Sequence, residues 1–133
     1  MPAIPAAIMA ASAKYGFTYP PGTLFSKRSE NDDPVMADAK DSQGLSALGK
    51  SFIAGQLKYM REMTLFFAPN INSYKRYVEG SFAPTAMKWG RDNRTCAIRL
   101  VGSGHSLRFE NRVPGGDVNP YLAEAAMNVN DIP

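Results

Sequence analysis

Arg94-Thr95-Cys96-Ala97-Ile98-Arg99-Leu100-Val101, a turn at Gly102-Ser103-Gly104, then Leu107-Arg108-Phe109-Glu110-Asn111-Arg112-Val113: two runs of alternating character separated by glycine turn chemistry. Period-two patterning on either side of a short turn predicts an antiparallel β-hairpin. Successive strand residues point to opposite faces, so Thr95, Ala97, Arg99 and Val101 share one face and Cys96, Ile98 and Leu100 the other. On the second strand Arg108, Glu110 and Arg112 fall at i, i+2 and i+4 and project together. A solvated strand face would balance its cross-strand charges. Here Arg99, Arg108 and Arg112 face one carboxylate, and the guanidinium fork is suited to bidentate capture of carboxylate and phosphate. That excess points to a site for anionic substrates, with Glu110 a candidate ligand for Mg²⁺ or Mn²⁺ bridging to phosphate oxygens.

Outward from the hairpin, Pro114-Gly115-Gly116-Asp117 turns the chain, and Asn119 caps a helix opened by Pro120 and running through residue 128. Upstream, Ser46 is the N-cap of a long amphipathic helix expected to reach Phe67 and to end at Ala68-Pro69. Leu45, Leu48, Phe52, Ile53, Leu57, Met60, Met63 and Phe67 form its apolar stripe. Residues 70–89 read as loop, broken by Gly80 and Pro84 and rich in aromatics. Residues 17–44 are turn-rich, with Pro20-Pro21-Gly22, Asn31-Asp32-Asp33-Pro34 and Ser42-Gln43-Gly44 around a short strand expected at 34–37. An alanine-rich helix is expected over 5–15. His105 reads as an exposed loop residue and Cys96 as core, since no base accompanies it.

The chain has 133 residues, enough for one domain with a real core, and its 44% hydrophobic and 20% charged fractions are those of a globular rather than a disordered chain. A net charge of +3 suits anionic ligands. No Lys/Arg run makes a nucleic-acid footprint, so nucleic acid is not an expected partner. The apolar N-terminal run lacks a basic flank, is interrupted by Pro2 and Pro5, and is too short to span a bilayer, so no membrane is expected either. A single cysteine, Cys96, allows no internal disulfide and points to a reducing, cytoplasmic setting.

Six separated segments complete the reading: Asn72-Ser73-Tyr74-Lys75-Arg76, Ala83-Pro84, Asn93-Arg94-Thr95, Ile98-Arg99, Arg108-Phe109-Glu110-Asn111-Arg112 and Asn119-Pro120-Tyr121-Leu122-Ala123. In order and nearly in spacing they resemble the catalytic domain of the glutamine synthetase family. The resemblance covers about residues 26–126. It implies an α+β fold, a partial catalytic domain over 26–133 with an antiparallel hairpin, a long amphipathic helix and flanking helices, and an unmatched segment over 1–25. It further implies ATP-dependent ligation of ammonia or another amine to the γ-carboxyl of glutamate through an acyl phosphate. Carried over by motif, Arg76 and Arg112 would hold the glutamate carboxylates, and Arg94 would stabilise the transferring phosphoryl group. Arg99 and Arg108 would contact ATP phosphates, and Glu110 would ligate Mg²⁺ or Mn²⁺. Family members assemble as rings of identical subunits, with each active site shared between neighbours.

Three departures shape the expectation. The family's ammonia-using members carry a glutamate before Ala83-Pro84; here Phe82 stands there, and Ser81-Phe82-Ala83-Pro84 looks more like the γ-glutamylamine and γ-glutamylpolyamine ligase branch. Gly22 and Leu24 occupy the positions of two family histidines. The family's N-terminal domain, its upstream glutamate ligands and the end of its catalytic domain have no counterpart. The chain is therefore expected to be a segment that does not turn over alone. Its rivals are a non-catalytic remnant that binds nucleotide or a full-length paralogue, with Phe66, Phe67, Tyr77 and Trp89 as unpaired association surface, and an anion- or nucleic-acid-binding module.

Overall fold

Strands β3 (Cys96–Val101) and β4 (Arg108–Asn111) form the expected hairpin, with Ile98 opposite Asn111, Arg99 opposite Glu110, Leu100 opposite Phe109 and Val101 opposite Arg108. The connection holds a 3-10 turn, Gly104–Ser106, which places His105 at the surface, and Gly102 enters it at φ 75°. The structure is a computed structural model that describes residues 23–25, 29–81 and 83–129. The helix expected over 5–15, the Pro20-Pro21-Gly22 turn and Phe82 lie outside the described residues.

Two further strands complete a mixed sheet in the order β1-β4-β3-β2. The three-residue β1 (Thr23–Phe25) pairs antiparallel with β4. On the other side β2 (Ala86–Arg91) pairs with β3 in parallel, with a register shift between Ala86 and Trp89. Residues 86–89 of this strand fall in the stretch 70–89 expected to be loop from its Gly80 and Pro84 breaks. The link between β2 and β3 is only residues 92–95, unusually short for parallel neighbours. Asp92 turns it at φ 48°, and its N–H donates to the Leu100 carbonyl.

Ser46 caps helix α1 (Ala47–Tyr59): its hydroxyl accepts from the Gly49 N–H at 3.1 Å and donates to the Val35 carbonyl at 2.8 Å. The expected single helix to Phe67 is broken. After Met60 the chain makes turns and re-enters a helix only at α2 (Thr64–Phe67), where the Thr64 hydroxyl has turned back on the Arg61 carbonyl. A local hydroxyl–carbonyl bond of this kind competes with the helical ladder. The strand expected at 34–37 is reduced to one bridge, Ala37 with Leu45. It holds Met36 and Leu45 in the core, and a Cβ on Gly49 would stand 2.6 Å from the Met36 carbonyl, so only glycine admits this approach. Asn119 caps helix α3 (Pro120–Val129), its side-chain oxygen accepting from the Tyr121 and Leu122 N–H groups.

The core lies between the helices and one face of the hairpin. Phe52, Ile53, Met60, Phe67, Ile98, Leu100, Phe109, Ala126 and Met127 are buried there, with Phe52 and Phe109 tilted at 5.5 Å between ring centres. Leu48, counted in the apolar stripe, is exposed. Gln56 takes part instead: its amide donates to the Met127 carbonyl and accepts from Asn111, so one buried side chain ties α1, β4 and α3. Phe67 is fully buried, and Phe66, Tyr77 and Trp89 pack against the core. Of the four aromatics expected to be unpaired, only Phe67 is thus a full core residue, while Phe66, Tyr77 and Trp89 stay half-buried.

Candidate functional site

Opposite the core, the second face of the hairpin gathers the charged groups. Directly paired in the ladder, Arg99 and Glu110 meet through Nη1 and Oε2 at 3.1 Å. Arg112 lies just past β4, but its N–H still donates to the Ala97 carbonyl, so the ladder continues and its side chain stays on the Glu110 face. Its Nη1 reaches Glu110 Oε1 at 2.9 Å, and its Nε donates to the Arg94 carbonyl at 3.2 Å. Arg112 is 4% exposed and Glu110 8% exposed, so this is a buried pair with a second arginine at its mouth. Buried charges persist only where paired and hydrogen-bonded, a condition this trio meets.

Arg76 joins from outside the sheet. It ends a 3-10 helix, Ile71–Arg76, whose start is closed by reciprocal bonds between Asn70 and Ser73. Its Nη2 donates to the Arg112 carbonyl at 3.0 Å and to the Val113 carbonyl, while Tyr77 donates to the same Val113 oxygen at 2.6 Å. The Arg76 guanidinium lies 4.9 Å from the Tyr77 ring centre. Burial raises the Tyr77 pKa above its ordinary value, so the phenol stays a donor.

Thus Arg76, Arg99, Glu110 and Arg112, four of the residues proposed from sequence, are brought together, and Arg94 touches the group through its backbone. Arg94's side chain is exposed. Arg108 does not join: it is exposed, and its Nη1 donates at 3.2 Å to the Ser106 carbonyl, because its strand end lies at the open side of the hairpin. The sequence reading missed two carboxylates. Asp92 accepts from Arg99 through both Nε and Nη2, and this guanidinium contact lowers the Asp92 pKa. Asp117 accepts from the Ser73 hydroxyl and from Asn70 at 3.4 Å, and the Ser73 bond lowers its pKa. Both aspartates sit in turns, where sequence assigns them only to backbone chemistry. The one available signal was an acidic residue beside basic ones, in Arg91-Asp92-Asn93-Arg94.

Among the described residues no three His, Cys, Asp or Glu side chains stand together as a metal cage. Both oxygens of Glu110 already accept from arginines. Divalent cations of the hard type take six or more oxygens, so these residues fit one only as the source of a single ligand.

A model of the glutamine synthetase catalytic domain matches residues 24–129, and the chain belongs to that family. The γ-glutamylethanolamide synthetase of Streptomyces coelicolor is 66% identical over 84 residues, which are 63% of this chain and 18% of that protein. The type-1 glutamine synthetase 2 of Dictyostelium discoideum is 53% identical over 92 residues, 69% of this chain and 18% of that protein. Among solved structures, the glutamine synthetase of Plasmodium falciparum superposes with a TM-score of 0.74 at 24% identity, over 83% of this chain and 22% of its own. That likeness bears on the fold, which is the α+β one expected. The chain spans about a fifth of the length of the relatives it matches. No described helix is long and apolar enough to cross a membrane.

Proposed function

We propose that this chain is the phosphate- and glutamate-handling part of a cytoplasmic ATP-dependent ligase that joins an amine to the γ-carboxyl of glutamate, and that it does not turn over alone. The observation that carries the reading is Glu110 fixed between Arg99 and Arg112, with Asp92 as a second carboxylate on Arg99 and arginines still in excess around them. In this reading Arg76 and Arg112 bind the glutamate carboxylates. Arg99 and Arg108 bind ATP phosphates, and the exposed Arg94 neutralises the phosphoryl group in flight. Phosphoryl transfer needs little from a protein beyond positioning and charge neutralisation, and prearranged arginines supply both. Glu110 would give Mg²⁺ or Mn²⁺ one carboxylate oxygen, and the bound cation would offset phosphate charge. An apolar Phe82 cannot take a proton from ammonium, and the relative at 66% identity is named for an ethanolamide product, so an amine other than ammonia is the proposed nucleophile.

Binding of ATP in the presence of Mg²⁺, followed by calorimetry, tests the site. Saturable binding that weakens about tenfold or more in Arg108→Ala and in Arg99→Ala is expected, from the loss of a charge-assisted hydrogen bond. Phosphate release with glutamate and either ethanolamine or ammonium separates the readings. Release favouring ethanolamine supports the amine ligase and overturns the view that the chain alone is inactive. Binding without release is the outcome expected of a ligase part that does not turn over alone, and it equally fits a nucleotide-binding segment, a reading favoured by the single carboxylate. Absence of ATP binding overturns both.

A further inference from the structure

We propose that Asp117 is the positioning residue of Arg76, holding the short helix that ends in Arg76 against the loop that follows β4. The proposal rests on Arg76 as a carboxylate-binding group. Asp117 reaches across to that helix from a distant part of the chain and accepts from the Ser73 hydroxyl and from Asn70 Nδ2. These are the two residues that close the helix start, so the carboxylate grips the helix at the end opposite Arg76. The loop returns to the arginine a second time. A Cβ built on Gly115 would stand 2.6 Å from Asp117 Oδ1 and 3.3 Å from Arg76 Nε, so the carboxylate and the guanidinium flank the same bare backbone. Arg76 Nε is buried and has no hydrogen-bond partner, while Nη2 is spent on the Arg112 and Val113 carbonyls. A buried N–H without an acceptor is held by its surroundings and not by its own bond. The Ser73 bond chiefly lowers the Asp117 pKa, and the charge of Arg76 adds a smaller contribution in the same direction, as expected of a carboxylate lying near that guanidinium. Ser81 completes the hold, its hydroxyl donating to the Arg76 carbonyl at 2.6 Å.

The test is the Arg76 Nε–H resonance of the full 133-residue chain labelled with ¹⁵N, assigned by its disappearance in Arg76→Lys. The Arg112 Nε–H, bonded to the Arg94 carbonyl, reports the hairpin in the same spectrum. Solvent exchange at Arg76 is expected to speed up about tenfold in Asp117→Asn and Asp117→Ala, as the helix start loses the charged acceptor of Ser73 and Asn70 and its hold on Arg76 loosens. Arg112 should stay unchanged, and Asp117→Glu should recover part of the protection. Unchanged Arg76 exchange in both variants overturns the proposal, as does equal acceleration at Arg112, which would mean general loosening. If Asp117→Ala does not fold, the isosteric Asp117→Asn and the separate Ser73→Ala decide by the same criterion. Titration with L-glutamate reads the substrate role apart from this. An identical response in wild type and Arg76→Lys removes the carboxylate-binding reading and leaves the exchange result standing.

Discussion

The two faces of the β3–β4 hairpin are built from alternate residues of the same strands and are held by different physics. On the helix side Ile98, Leu100 and Phe109 meet Phe52 and Met127, and stability comes from area removed from water. On the other side Arg99, Glu110 and Arg112 are also largely withdrawn from water, but each must be matched by a partner of opposite charge or by a carbonyl. The apolar face therefore tolerates exchange of one hydrophobe for another of like volume, whereas the charged face tolerates no single deletion. Holding a site's cations in place before any ligand arrives is the use such a face can have, since charges already fixed cost no reorganisation when substrate charge develops.

The comparison breaks most visibly at Phe109, which is 2% exposed. Phe109→Ala should destabilise the fold by about 3–5 kcal/mol, the usual range for an emptied aromatic site, measured by urea unfolding. A loss below about 1 kcal/mol would mean that α1 collapses onto the gap and the face is less tightly packed than drawn. On the charged face Arg112→Met keeps most of the stem and removes the fork, leaving Glu110 with Arg99 alone. A cost of about 2–3 kcal/mol is expected, mostly the penalty of a half-paired buried carboxylate. Adding Glu110→Leu should recover part of it, with a coupling of about 1 kcal/mol or more. Simple additivity in that double variant would show that the two side chains do not depend on each other.

How much of this was legible in the sequence follows the same division. Alternation around Gly102-Ser103-Gly104 located the hairpin and set Glu110 and Arg112 on one face, since a period of two admits no other partition within a strand, while the register that sets Arg99 opposite Glu110 came with the fold. Ser46 and Asn119 announced their helices for a local reason, a side-chain oxygen placed before an apolar run. What stayed hidden was decided at a distance. Residues 60–63 keep the helical stripe yet break the helix through the Arg61–Thr64 turn, and Met60 and Phe67 are both buried on either side of the break. Strand β2 carries little alternation and exists because β3 offers it an edge. Asp92 and Asp117 looked like turn formers, and only the fold brings them to Arg99 and Ser73. Arg108 shares the sequence spacing of Arg112 but not its burial, since spacing fixes a face and not a depth.

Glu124 offers the smallest and sharpest contrast, a charge on the helical side of the molecule where the opposite face would have supplied an arginine. It lies on α3, is 8% exposed, and among the described residues its carboxylate accepts no hydrogen bond. Burial alone raises its pKa above the ordinary 4.5. The folded state thus binds this proton more tightly than the unfolded chain does. Below the unfolded value the group carries no penalty; as pH rises through the folded value the chain must charge a poorly hydrated carboxylate, and stability falls. Glu124→Gln removes that burden, so the variant should unfold at a modestly higher urea midpoint than wild type at pH 7, with the difference closing by about pH 3. A difference that persists unchanged at acid pH would assign the gain to packing of the amide, and a variant less stable at pH 7 would mean that the carboxylate has found a cation, as Glu110 has.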